Sequence, residues 1–387
     1  MTQALCEKVS TRRAGPYRSR YPSTCVIPRR GIRPFTVVRE IEQVHHGAVD
    51  RLFMYGVLAM KYPRSSESRP NLRPRLGVGH LRIALGAIWL ADGVLQCQPY
   101  MFTPSFVKDV LVPSAQGNSG FVSDPTLAMA HFLMPHIVAW NALFAAIQIA
   151  LGIGIILGTM QARRNVLKVA LAGSFVWSVL VWWLSEGLGG VLLGASPLAG
   201  APGAVLLYLV AGLLLWPGAP QVDDELPAVV VGSSLARSLW LGLWAFSGFL
   251  LLQPANQTPN AVSSLVSGAA NGEPGILHGL LSGVGVLLGG AGSWIDSLLG
   301  LAMMGIGISV ALDYHPRLFL VASMAMGIGM WVFGQALGGI LTGQGTDPNS
   351  GPLWVLLALC MWPGVSRLSS TSPSRQQSQN LFISHSK

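Results

Sequence analysis

The chain has 387 residues, of which 51% are hydrophobic and only 11% charged, and its mean hydropathy is +0.50. Soluble globular domains carry about 25% charged residues, so this balance excludes a soluble enzyme and describes an integral membrane protein. The net charge of +9 would point to nucleic acid in a soluble chain, but basic residues gathered on the cytoplasmic side of a membrane explain it without a nucleic-acid partner. The four cysteines, Cys6, Cys25, Cys97 and Cys360, are far apart and form no C-x-x-C pair, so they give neither a metal signature nor a disulfide framework.

Residues 1–77 are polar, Arg-rich and Pro-containing without sustained periodicity, and read as a disordered basic arm. No apolar run near the start resembles a secretory signal. The arm reads either as an organellar transit peptide or, preferred, as an overextended gene start with Met54 or Met60 as initiator. His45 and His46 lie in it with no further ligands at zinc-site spacing, so no metal is assigned there.

Apolar segments able to cross about 30 Å of hydrocarbon are expected at 79–98, 135–158, 166–190, 201–217, 235–253, 293–312, 318–341 and 351–365. Eight crossings put both termini on one side. Arg163, Arg164, Lys168, Arg237, Arg317 and the basic termini then share one face, with Lys108 on the other, so the termini are expected in the cytoplasm. Asp223, Asp224 and Glu225 fall in a linker at 219–234, and the Ser-rich stretch 366–387 reads as disordered.

The apolar region repeats itself. Phe175–Gly194 (FVWSVLVWWLSEGLGGVLLG) returns at Met324–Gly343 (MAMGIGMWVFGQALGGILTG), with Trp331 for Trp182, Gln335 for Glu186, and Gly338, Gly339 and Gly343 for Gly189, Gly190 and Gly194. Trp89, Gly93, Gln98 and Pro99 run at the same spacing as Trp244, Gly248, Gln253 and Pro254, and Trp216-Pro217 answers Trp362-Pro363. The expected fold is all-α, two parallel four-helix repeats at 78–218 and 235–365, because an even number of helices per copy preserves orientation.

An ionisable residue inside hydrocarbon is a functional-site hypothesis by default. Asp92, Glu186 and Asn141 fall in the outer halves of three helices of the first repeat, with His131, His136, Gln96 and Gln98 at similar depth. The second repeat carries Ser247, Gln335, Val286 and Ala291 in place of Asp92, Glu186, His131 and His136, while Asn141 becomes Asp296. The shared tryptophans and glycines therefore carry the fold, and the first repeat carries any chemistry. No lysine or arginine stands in an outer helix half to neutralise Asp92 or Glu186, so these groups are protonated, hydrogen-bonded or open to water. Asp92, Glu186 and His136 are the candidate proton-handling groups, and a carboxyl poised near neutrality beside a histidine suits proton exchange with a quinone.

Trp182 and Trp183, at i−4 and i−3 from Glu186, flank its helical face and offer a platform for a flat ring, with Asn141 and Gln98 as further cofactor-binding candidates. The structural alternatives are an interhelical hydrogen bond from Glu186 to Asn141 or His136, worth about 1 kcal/mol, and interfacial belt tryptophans. Met129, His131, Met134 and His136 are ligand types that suit copper, but their spacing is not helical i, i+4; ordinary packing of the methionines is preferred and no metal is assigned. There is no P-loop, G-x-S-x-G, H-E-x-x-H or dinucleotide fingerprint.

The run Leu81–Phe102 (LRIALGAIWLADGVLQCQPYMF), followed by the outer loop and WWLSEGLGG, resembles the DoxX and DoxD group of small four-helix bacterial membrane proteins. The resemblance covers one repeat at a time and rests on short apolar motifs, so this chain would be a fused tandem version. It implies a bacterial cytoplasmic membrane and the membrane subunit of a thiosulfate:quinone oxidoreductase, with quinone as cofactor and a redox protein as partner. No sulfur-binding residue of that group maps onto this chain. A non-catalytic assembly subunit, or a small-solute or metal transporter with broken helices around 275–292, are the other readings. The sequence sets neither substrate nor oligomeric state.

Overall fold

The computed structural model describes residues 77–218 and 232–362; the basic arm with His45 and His46, the acidic linker and the Ser-rich end lie outside the described residues. Among the described residues every regular element is helical. In chain order these are α1 (Val78–Leu95), α2 (Gly120–Leu133), α3 (Ile137–Met160), α4 (Arg164–Leu184), α5 (Ala204–Leu214), α6 (Ser233–Leu251), α7 (Ala261–Ala269), α8 (Gly275–Leu287), α9 (Gly292–Ala311), α10 (Pro316–Gly329) and α11 (Ser350–Cys360). Short helical turns fill 99–115 between α1 and α2.

Six apolar helical stretches among the described residues are long enough to cross a bilayer: α1, the α2–α3 run, α4, α6, α9, and α10 with its extension to Gly334. By length and composition this is a multi-pass membrane protein. The count differs from the eight expected crossings because α5 and α11 have only 11 residues each. At 1.5 Å per residue they span about 17 Å, little more than half of the hydrocarbon core. Their unbroken apolarity has another cause. Neither has an exposed residue; both lie in the protein interior, packed on each other, and a helix buried on all sides is hydrophobic all round. The apolar faces of α3 and α4, by contrast, are exposed at Leu143, Ile153, Leu157, Val169 and Val176, as lipid-facing helices are.

Irregular backbone precedes each of these two short helices. Helix α4 ends at Leu184 rather than near residue 190, because Gly187, Leu188, Gly189 and Gly190 all take positive φ. The second copy breaks in the same way, at Ala336, Leu337, Gly338 and Gly339. Gly189 has a second reason to be glycine: a Cβ there would overlap the Pro202 carbonyl, so the loop lies directly on the chain entering α5.

Two pairs of long helices cross closely through glycine, α1 with α3 and α6 with α9. A Cβ on Gly86 would come within 2.9 Å of the Gly152 carbonyl oxygen, and one on Gly248 within 2.5 Å of the Gly300 carbonyl oxygen. Small residues let helix backbones touch where lipid offers no hydrophobic driving force. Matching contacts recur elsewhere. The Trp182 indole N–H donates to the Pro202 carbonyl at 2.8 Å and the Trp331 N–H to the Pro348 carbonyl at 2.6 Å. Trp89 packs on Tyr208 with ring centroids 4.2 Å apart, and Trp244 packs on Trp354 at 4.7 Å.

Helices α1 and α5 are antiparallel. The Arg82 side chain, in the first turns of α1, donates from Nε to the Leu215 carbonyl at the end of α5 at 2.9 Å, while Asp92, near the other end of α1, meets Tyr208 in the middle of α5. A guanidinium at a helix C-terminus meets both the free carbonyls and the negative end of the dipole. The two halves also exchange loop contacts: Gln98 donates to the Gly345 carbonyl at 3.2 Å, and Asn256 donates to the Gly194 carbonyl at 2.8 Å.

Candidate functional site: an acidic cavity walled by aromatic rings

A cavity of about 260 Å³ opens beside α1, α3, α4 and α5. Its walls are mostly apolar, with Trp89, Phe106, Trp140, Phe144 and Trp177 presenting rings to it. Phe132 and Leu180 at its edge are 56% and 43% exposed, so its rim is continuous with the outward apolar faces of α2 and α4.

Three carboxyl groups and one phenol face this space. Asp92 comes from α1, Glu186 from the loop just past α4, Tyr208 from α5, and Asp347 from the loop that leads into α11. Asp92 is 2% exposed; its Oδ2 accepts the Tyr208 hydroxyl at 2.5 Å, and its Oδ1 is buried with no partner. Glu186 is half-buried, and its Oε2 is likewise buried without a partner, held against Gly203, whose positive φ and missing Cβ leave room for it. Asp347 accepts from the Thr346 hydroxyl at 2.9 Å and from the Asn349 backbone N–H. Gln148 and Gln96 add amide groups, each with an unpartnered buried oxygen.

Burial raises both carboxyl groups in the loops. Burial, and then the neighbouring Asp347 carboxyl, push Glu186 up to about 8, with the Val205 N–H pulling weakly the other way. Burial also raises Asp347, against the two hydrogen bonds it accepts. Among the described residues that line the cavity there is no lysine, arginine or histidine to offset three acids. Nor do any three His, Cys, Asp or Glu side chains among the described residues form a cluster able to hold a metal ion.

Of the residues singled out from sequence, Asp92 and Glu186 both line this cavity, but Glu186 stands in the loop past α4 and not within a helix, because the backbone turns to positive φ from Gly187. His136 does not join them. It sits exposed in the turn opening α3, and His131 is exposed on α2, because Leu133 and Ile137 take the inward positions of that stretch. Asn141 is fully buried but donates to the Gln96 backbone carbonyl at 2.8 Å, so its bond ties α3 to α1 rather than to Glu186. Trp182 stands behind Glu186, bonded to Pro202, outside the cavity lining. Trp183 stacks on Phe121 with centroids 5.3 Å apart and donates to that residue's carbonyl. Gln98 is engaged with Gly345 between the two halves.

The aromatic part of the cavity lining therefore comes from other residues, chiefly Trp89, Trp140 and Trp177. Sequence reasoning also missed Tyr208, Asp347 and Gln148. Tyr208 was visible as a lone hydroxyl in an apolar run, and Gln148 stands seven residues after Asn141, on the same helical face. Asp347 lies in a polar stretch, GQGTDPNS, that reads as an ordinary outer turn; its role depends on the second half folding against the first. Compared with protein-family models, curated proteins and solved structures, the chain matches none.

Proposed function

We propose that this membrane protein binds a small ring-bearing molecule in the acidic cavity and exchanges protons with it. In its redox form the reading makes the chain a quinone-linked membrane subunit: the quinone takes two electrons from a partner protein and two protons through Asp92, Glu186 and Tyr208. The observation that carries the reading is the convergence of three carboxyl groups and a phenol, from four separate stretches, on one aromatic-walled space with two carboxyl oxygens unpartnered. Buried polar atoms without partners are costly and point to a missing ligand or water. The quinone form also draws on the resemblance of Leu81–Phe102 to the DoxX and DoxD group.

The architecture that goes with this is a fused tandem of two four-helix repeats crossing the membrane eight times, with both termini in the cytoplasm of a bacterial cell. Paired contacts support it: Trp182 to Pro202 and Trp331 to Pro348, Trp89 on Tyr208 and Trp244 on Trp354. So does parity. If the Arg163 turn and Arg237 share one face, the stretch 188–214 has to cross, as irregular loop plus half-helix. Such broken helices also suit a solute transporter, which is the second reading.

The test is quinone binding to the purified protein in nanodiscs, followed by reduction with thiosulfate as trial donor, for wild type, Glu186→Gln and Asp92→Asn. Glu186→Gln is a fair probe because Gln335 already stands at the corresponding position, donating to the Ser350 hydroxyl at 2.8 Å. Loss of binding in variants that melt no lower than wild type supports the reading. Variants that bind like wild type make the acids packing elements and the chain an assembly subunit.

A further inference from the structure

The balance of charge in the cavity says what kind of molecule it is shaped for. Asp92, Glu186, Asp347 and Tyr208 are the titratable groups that face it, one each from α1, the loop past α4, the loop before α11, and α5. None of the described lining residues is basic. The three carboxyl groups line one space without forming a cluster able to hold a metal ion. Around that space stand Trp89, Trp140, Trp177, Phe106 and Phe144, whose ring faces carry the negative side of the quadrupole. Of the lining atoms buried without a partner, four are oxygens, Asp92 Oδ1, Glu186 Oε2, Gln96 Oε1 and Gln148 Oε1, and one is a donor, the Trp89 indole N–H.

The corresponding positions of the other half carry no such charge. Ser247 and Gln335 replace Asp92 and Glu186; counting back from Trp216 and Trp362, Trp354 replaces Tyr208 and Ala201 answers Asp347. The second half thus keeps the helices and loses the acids, yet its own loop donates Asp347 to the first half's cavity. Three acids are concentrated in one place at the cost of any symmetry.

We propose, resting on the reading of this cavity as a ligand site, that its ligand is a lipophilic organic cation, a quaternary or protonated ammonium bearing an apolar or aromatic group, taken up in exchange for a proton. Aromatic faces attract such cations strongly when they are desolvated, and the carboxyl groups supply the counter-charge. The proton leaves from a carboxyl group that the cation replaces; no bond other than O–H breaks. The apolar rim formed by Phe132 and Leu180 gives a lipophilic molecule access from the bilayer.

The experiment uses the full chain in nanodiscs and compares benzyltrimethylammonium with neopentylbenzene, which has the same shape and no charge. Calorimetry at pH 7 in two buffers of different ionisation enthalpy counts the protons released. The expected result is binding of the ammonium at least about tenfold tighter than its isostere, with about one proton released, and a loss of about tenfold in Glu186→Gln and Asp347→Asn. Equal affinity for the two compounds, or binding without proton release, overturns the proposal. In that case a quinone that still binds, sensitive to Glu186→Gln, leaves the cavity reading standing. If ammonium, isostere and quinone all fail to bind, the cavity reading falls as well. The isostere comparison needs only wild-type protein, so it stands even if a variant does not fold.

Discussion

Replacing Gly152 with alanine tests whether close backbone contact holds the cavity's helices in place. A Cβ at Gly152 would lie 2.7 Å from the Gly86 carbonyl oxygen and 2.6 Å from Leu90 Cγ. Leu90 has rotamers to retreat into; a helical carbonyl does not. Ordinary contact begins at 3.4 Å, so α1 and α3 have to part by about 0.7 Å. A gap of about that size forfeits a quarter to a half of each dispersion contact across it, and overpacking of this kind costs about 1–3 kcal/mol. Alanine returns up to about 1 kcal/mol through its better helix propensity. The net expectation is destabilisation by about 1–2 kcal/mol. The assay is unfolding in mixed micelles with increasing SDS, followed by tryptophan fluorescence, with Gly305→Ala in α9 as control. Nothing lies within 4 Å of a Cβ at Gly305, so that variant is expected to be neutral or slightly more stable. If the two variants unfold at the same SDS fraction, the close crossing is not what holds α1 against α3. Because α1 carries Asp92 and α3 carries Gln148, Gly152→Ala is also expected to weaken ligand binding without touching the cavity.

Three further outcomes are expected. The Glu186 carboxyl stands near 8 in the fold against an ordinary value of 4.5, so its protonated form contributes stability that is complete below about pH 4.5 and is lost as pH rises through about 8. Glu186→Gln removes that loss, and its melting advantage over wild type should grow between pH 6 and 8.5 by no more than about 1.4 kcal/mol per pH unit; a constant difference across that range would show that Glu186 is ionised throughout. Arg82→Met, which strips the α5 carbonyl of a buried charged donor, should cost about 1.5–3 kcal/mol, whereas Arg237→Met should change stability by less than about 1 kcal/mol, since its pairing with Asp313 at 3.7 Å is solvent-exposed. Trp182→Phe and Trp331→Phe each remove one indole hydrogen bond to a proline carbonyl and should cost about 1 kcal/mol apiece, adding in the double variant; strong non-additivity would mean that the two loops fold as one unit.

Composition and hydropathy by themselves determine that this is a helical membrane protein, because continuous apolar runs of about 20 residues fit a helix that satisfies its own backbone in lipid, whereas a barrel strand needs only about 10 residues of alternating pattern. The internal repetition determines where the helices break: GLGG and ALGG fall where the backbone needs positive φ, which glycine adopts without strain. The same comparison singles out Asp92 and Glu186, whose counterparts are Ser247 and Gln335, and both line the cavity. Apolar runs cannot distinguish burial in lipid from burial in protein, and that is why 201–217 and 351–365 read as full crossings while α5 and α11 are short helices enclosed on all sides. His136 is exposed at the turn opening α3 and Trp183 stacks on Phe121, away from the cavity, because the facing of a side chain follows from which neighbours arrive. Tyr208 and Asp347 reach Asp92 and Glu186 across more than a hundred residues of chain. No local pattern encodes a contact of that kind; it exists only once the two halves have closed on each other and put an acid from one loop into the other half's cavity.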